Sequence, residues 1–102
     1  MPAVARCENI DTISTGHACD GTAQIQGCLQ STVYANGNLI AVQGDAIAPH
    51  TILVGGECVP HSAVINAGSG TVFINGIAVA RVGDSADSGT IITGSGNIVV
   101  GG

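Results

Sequence analysis

The chain has no tryptophan, and Phe73 and Tyr34 are its only aromatic residues apart from histidine. Large aromatic side chains supply much of the volume of an ordinary globular core. Sixteen glycines and a wealth of Ala, Val, Ile, Ser and Thr cannot fill a wide interior. They suit thin β-layers packed closely around an axis. Positive charge is equally scarce: Arg6 and Arg81 stand against seven acidic residues, for a net charge of −5. That balance excludes nucleic-acid binding, which needs a basic face. Charged residues make up 9% of the chain, yet no apolar run approaches the roughly 20 residues of a membrane helix. Low charge without a spanning segment predicts that a partner covers much of the surface.

Other absences narrow the fold and the compartment. No stretch of ten residues carries an apolar 3.6-residue period free of Gly and Pro, so no helix is expected. Residues 1–102 make one small domain, near the size at which a core alone gives modest stability. Met1-Pro2-Ala3-Val4-Ala5-Arg6 has no apolar leader, which predicts a protein made in the cytoplasm. In that reducing setting, Cys7, Cys19, Cys28 and Cys58 are expected as metal ligands or buried thiols rather than disulfides.

What the chain does have is a repeat. Gly70 to Asp84 reads GTVFINGIAVARVGD, two short strands around Asn75-Gly76, the strongest short hairpin signal. Ser31 to Asp45 reads STVYANGNLIAVQGD and matches it at seven of fifteen positions with an offset of 39. The turn residues survive, which marks repeated structure. A third copy is split between the chain ends. Gly94 to Gly102 resembles Gly68 to Gly76, and Ala3-Val4-Ala5-Arg6 is identical to Ala78-Val79-Ala80-Arg81. The chain is therefore expected to close on itself around a pseudo-threefold axis. Asp45 and Asp84, at the ends of the repeats, are expected to cap turns.

Residues 2–7, the hairpins at 31–43 and 70–82, a short strand at 63–65, and the runs 90–93 and 97–100 are predicted as strands. Residues 8–27, 44–62 and 83–89 are predicted as long loops, and loops of that length are usually functional or tied down. The histidines supply a tie. His17, His50 and His61 are the only three, and two lie close to a cysteine, in His17-Ala18-Cys19 and Cys58-Val59-Pro60-His61. Three imidazoles and a thiolate make a four-coordinate site suited to Zn²⁺, with iron as another candidate. The thiolate would come from Cys58 or Cys19, each near a histidine in the sequence. Cys7 and Cys28, beside strand-like residues, read as buried apolar groups.

Ala78-Val79-Ala80-Arg81 with Val82-Gly83-Asp84, after Val72-Phe73-Ile74-Asn75-Gly76, resembles the PAAR-repeat family. These proteins form the spike tips of contractile injection systems, in type VI secretion and phage-type tails. Gly16-His17 in the first loop, Gly44-Asp45 with Pro49-His50 in the second, and Gly68-Ser69 with Val72 and Gly94-Ser95 with Ile98 carry the resemblance along essentially the whole chain. It implies an all-β cone of short strands and long loops with pseudo-threefold symmetry. A metal held by His17, His50, Cys58 and His61 would stabilise its apex. The resemblance departs from the family at two places. Ser88 stands where relatives often have a ligating cysteine, and Cys58-Val59-Pro60-His61 replaces a His-x-x-His.

The implied function is structural, with no enzymatic activity. One copy would cap a trimeric β-helical spike, pierce a target membrane transiently and carry any effector non-covalently. It would begin in the cytoplasm and end at the tip of a phage tail or secretion spike. Two rival readings are a small zinc hydrolase using Glu57 or Asp20 as general base, and a free-standing cell-surface binding module. The near absence of aromatic residues for sugar stacking counts against the module.

Overall fold

The computed structural model describes residues 1–101, so the Gly102 end of the split repeat lies outside the described residues. The fold is all-β, with no helix among the described residues. Its extents are 41 × 23 × 23 Å. Five two-stranded antiparallel units follow one another: β1 (Thr12–Ser14) with β2 (Thr22–Gln24), β3 (Tyr34–Ala35) with β4 (Asn38–Leu39), β5 (His50–Val54) with β6 (Glu57–His61), β7 (Phe73–Ile74) with β8 (Ile77–Ala78), and β9 (Ser85–Ala86) with β10 (Gly89–Thr90).

The expected hairpins around Asn36-Gly37 and Asn75-Gly76 are β3–β4 and β7–β8. All four turn residues have positive φ, between 52° and 79°, as a type I′ turn requires. The expected long loops differ from the structure. Residues 8–27 contain β1–β2, residues 44–62 contain β5–β6, and residues 83–89 lead from β9 into β10. The β5 sequence His-Thr-Ile-Leu-Val is rich in β-branched residues, and Gly55-Gly56 supplies a tight turn with both φ values positive. The strand propensity of β5 and the tight Gly55-Gly56 turn bring Glu57–His61 alongside it as β6, although Pro60 lies within that strand. Residues 2–7 make isolated bridges to several partners rather than one continuous strand.

The units are joined by backbone bonds that recur in threes. The Ala5 N–H donates to the Ala80 carbonyl at 2.9 Å, Ala80 to Ala41 at 3.0 Å, and Ala41 back to Ala5 at 2.9 Å, closing a cycle. All three alanines are fully buried. A larger side chain at any of them would force the segments apart, which accounts for the small-residue composition. Neighbours alternate in side with period two. Val4, Ile40, Val42 and Val79 pack into one apolar cluster with Ala35 and Ile74. Ala5, Ala41 and Ala80 belong to the other, with Ile13, Ile25, Ile47, Ile65, Ala86 and Ile91. This second cluster is laced by the bridges Ile13–Ile91, Ile25–Ile47 and Ile65–Ala86.

Side chains repeat the pattern. Asp11, Asp45 and Asp84 each accept a bond from a backbone N–H, those of Arg6, Val42 and Arg81, at 2.8, 2.9 and 2.8 Å. Asp45 and Asp84 thus cap turns as expected, and Asp11 makes the third such contact. The Arg6 and Arg81 guanidiniums fold back on Asp11 and Asp84. Gln30, Ser69 and Ser95 each accept two successive backbone N–H groups. Among the described residues, no buried side-chain nitrogen or oxygen lacks a partner.

The cysteines overturn the expectation of free thiols. Cys7 is joined to Cys28 and Cys19 to Cys58, with Cα separations of 5.8 and 5.9 Å, inside the range a disulfide spans without backbone movement. A compartment read from a missing leader says nothing about which cysteines the fold brings together. Here the core sets Cys7 against Cys28, and the bonding of Asp20 to Thr51 on β5 brings Cys19 beside Cys58 on the paired strand β6.

The turns provide a test of the fold. Gly37 and Gly76 have φ of +79° and +78°, and a Cβ at either would meet no atom within 4 Å. Gly37→Val and Gly76→Val should therefore isolate backbone strain, each destabilising by about 1–3 kcal/mol in chemical denaturation. Gly21→Ala, at an equally open position without positive φ, should stay within about 0.5 kcal/mol of the parent. Parent-like stability in both valine variants would contradict the turn assignment.

Candidate metal centre

His17, His50 and His61 converge, and the carboxylate they surround belongs to Asp87. Three separate stretches supply the four side chains. His50 opens β5 and His61 ends β6, and the two are directly opposed across the hairpin. These two histidines therefore lie in strands, not in the loops expected for them. His17 comes from the segment between β1 and β2, which folds back through Thr15: its N–H donates to the Gly21 carbonyl, and its hydroxyl to the Asp20 carbonyl. Asp87 sits in the two-residue turn between β9 and β10 with φ of 54°.

Two glycines let these segments meet. A Cβ on Gly89 would lie 1.9 Å from the Ser14 carbonyl oxygen, and one on Gly16 would lie 2.5 Å from that of Ser88. Neither neighbour is a flexible side-chain end, so only glycine allows the β9–β10 turn to approach β1 and the His17 segment this closely.

Asp87 Oδ1 lies 2.9 Å from His17 Nε2 and 3.1 Å from His61 Nε2, and Oδ2 lies 2.6 Å from His50 Nε2. The ring centroids are 5.0 to 6.1 Å apart. His50 and Asp87 are nearly enclosed, with side chains 3% and 6% exposed; His17 and His61 reach solvent at 20% and 29%.

The tautomer of His50 is decisive. Its Nδ1 lies 2.9 Å from the Ala48 carbonyl oxygen, which can only accept, so Nδ1 carries the hydrogen. A neutral ring then turns its Nε2 lone pair directly onto an Asp87 oxygen. Two lone pairs at that distance repel unless a proton or a metal ion lies between them. A histidine fixed through Nδ1 to a backbone carbonyl, with Nε2 free, is also the usual posture of a metal ligand.

The donor set fits a first-row divalent ion. Ligands placed tetrahedrally about 2.0–2.1 Å from Zn²⁺ stand roughly 3.3 Å from one another. The four donor atoms here all lie within 4.8 Å of one another, so closing on an ion takes shifts on the order of an ångström.

Cys58 does not join this group. Its sulfur is bonded to Cys19, which removes both candidates for a thiolate ligand, and a carboxylate stands in the fourth place. In the sequence Asp87 lies one residue before Ser88, the position noted for lacking a ligand. A carboxylate beside a missing thiolate was the available signal. Its recruitment depends on the Gly89–Ser14 approach, which no local pattern reveals.

No family model and no curated protein matches the chain.

The electrostatics follow from the same contacts. Burial works against the Asp87 carboxylate, but hydrogen bonds from His17, His50 and His61 outweigh it and hold its pKa below the ordinary value. Burial likewise disfavours the charged form of His50, but the Ala48 carbonyl and the Asp87 carboxylate prevail and raise its pKa. In the metal-free protein the depressed Asp87 contributes stability above its unfolded value, near 3.8. That contribution is lost as pH falls through the folded value. The raised His50 contributes fully below its unfolded value, near 6.5, and loses its contribution as pH rises through the folded value. Chelator-treated protein should therefore melt highest between about pH 4 and pH 6.5. His50→Gln should remove the fall on the alkaline side. A stability that climbs steadily beyond about pH 8 would contradict the assignment.

Proposed function

We propose that this protein is a metal-stabilised spike tip of a contractile injection machine, of the PAAR-repeat kind. The observation that carries this reading is the closed cycle of backbone bonds through Ala5, Ala41 and Ala80. It supports a pseudo-threefold body made from one chain, and such a body can meet three subunits of a trimer with three similar faces. Matching exposed apolar residues support the same arrangement. Tyr34, Phe73 and Val99 are 57%, 54% and 50% exposed. They occupy corresponding places, each four residues after Gln30, Ser69 and Ser95. Exposed apolar residues repeated around a body are suited to burial against a partner.

The metal centre completes the reading. No residue of β5 or β6 belongs to either buried apolar cluster, and coordination would replace the missing core there. Zn²⁺ fits His17, His50, His61 and Asp87, and iron fits the same imidazole–carboxylate set. When bound, the ion supplies cross-links. The chain's own residues hold it: Ala48 orients His50, and the close approaches at Gly16 and Gly89 deliver His17 and Asp87.

On this reading the protein performs no bond chemistry. It caps the strand edges at the end of a β-helical trimer and concentrates the force of a contracting sheath on a narrow point, contacting the target membrane in passing. Before assembly it is cytoplasmic, and afterwards it sits at the tip of a phage tail or secretion spike. An effector would ride non-covalently. The hydrolase alternative finds little support in the two carboxylates considered as its base. Asp20 accepts bonds from the Thr51 N–H and hydroxyl, which lower its pKa. Glu57 pairs with Val54 at the far end of the β5–β6 hairpin.

Native mass spectrometry with a trimeric β-helical spike protein encoded beside this chain should show one copy per trimer. Tyr34→Asp combined with Phe73→Asp should weaken the complex by at least about tenfold while leaving the metal content unchanged. Three copies per trimer, or unchanged binding by the double variant, would overturn the docking assignment.

A further inference from the structure

The two disulfides differ in a way that bears on the metal centre. Cys7 is fully buried in the apolar core, so Cys7–Cys28 is shielded at one of its sulfurs. Cys58 is exposed on β6 and Cys19 is half-buried, so the second bridge is open to a thiol in solution. Thiol–disulfide exchange needs such access to a sulfur. The open bridge is also placed at the centre: Cys19 lies two residues after His17, and Cys58 three residues before His61. It closes a sequence separation of 39 residues, tying the segment that carries His17 to the strand that carries His61. The hydrogen bonds between that segment and the β5–β6 hairpin all run between Asp20 and Thr51, one from the Asp20 N–H to the Thr51 carbonyl and two to the exposed Asp20 carboxylate, and such bonds are individually weak in water.

We propose that Cys19–Cys58 is a reductant-sensitive latch on the metal centre: a dithiol cuts this bridge selectively, and the cut lowers metal affinity. The proposal rests on the metal reading given above. In the reaction a thiolate of the dithiol attacks the sulfur of the exposed residue Cys58, and Cys19 leaves as a thiolate and takes up a proton. The second thiol of the reductant then closes on the mixed disulfide and expels Cys58 as a thiolate, which is protonated in turn. The protein disulfide gains two electrons and two protons, and the dithiol ends as its own cyclic disulfide. With the bridge gone, bringing His17 to His50, His61 and Asp87 costs conformational freedom that the cross-link had already removed. The carboxylate–imidazole set remains, but it is no longer held in place before the ion arrives.

Cobalt(II) titration followed by visible absorption tests this. The oxidised protein is titrated first. It is then treated with a dithiol, freed of reductant without air, and titrated again. Alkylation and mass measurement of the reduced sample count the opened thiols. The expected result is two labelled thiols, at Cys19 and Cys58, and cobalt binding weakened by about tenfold or more. Cys19→Ser with Cys58→Ser should show the same weakening with no reductant present and with the β3–β4 and β7–β8 hairpins still folded by amide exchange. Unchanged affinity in both samples would overturn the latch. So would a new thiolate-to-cobalt band with the metal retained, which would make the freed thiols ligands, and so would equal labelling of all four cysteines. An oxidised protein that takes up no cobalt would overturn the metal reading itself, and with it the latch; that outcome is visible before any reductant is added.

Discussion

Close approach of three backbones at Ala5, Ala41 and Ala80 is the constraint on which the rest of this structure depends. A strand in an ordinary sheet satisfies its N–H and C=O groups against long neighbours. The named strands here are two to five residues long, too short for that. Cyclic bonding through three buried alanines solves the same accounting problem without a sheet. It also fixes the composition, because the cycle closes only when its members are small. The two apolar clusters, the three carboxylate caps and the paired-amide turns at Gln30, Ser69 and Ser95 are all arranged around it.

Features governed by local chemistry were legible in the sequence. Asn36-Gly37 and Asn75-Gly76 announced their turns because few other pairs adopt positive φ twice in succession. The split repeat foretold that the chain ends come together, as they do in the Ala3–Val99 bridge and in the bonds from the Val4 N–H to the Ile98 carbonyl and from the Val100 N–H to the Pro2 carbonyl. The strands of β5 and β6 were obscured because Pro49 precedes the first, Pro60 falls within the second, and the intervening glycines suggested a loop. Pro60 lies opposite Thr51, and a two-stranded unit has free edges where proline does no harm.

The candidate site divides in the same manner. The three histidines stood out through scarcity, as the only imidazoles in the chain. Asp87 did not, because seven acidic residues compete for attention and only the approach of two turns selects it. Cysteine pairing was the least readable feature. Cys58 neighbours His61 in sequence, and that proximity suggests a shared ligand set. The alternation of β6 and the position of the His17 segment send its sulfur to Cys19 instead. Sequence adjacency indicated the right region and the wrong bond.

Both arginines are committed inside the molecule, Arg6 to Asp11 and Arg81 to Asp84, while Glu8, Asp20 and Glu57 remain on the surface. Among the described residues, no side chain presents a free strong cation to the surroundings. An anionic surface, whether phospholipid, nucleic acid or acidic polysaccharide, then meets net repulsion as it comes within a Debye length of about 8 Å at physiological salt. Such a body is electrostatically non-adhesive. Close approach to such a surface then requires a force or a specific contact that outweighs this repulsion.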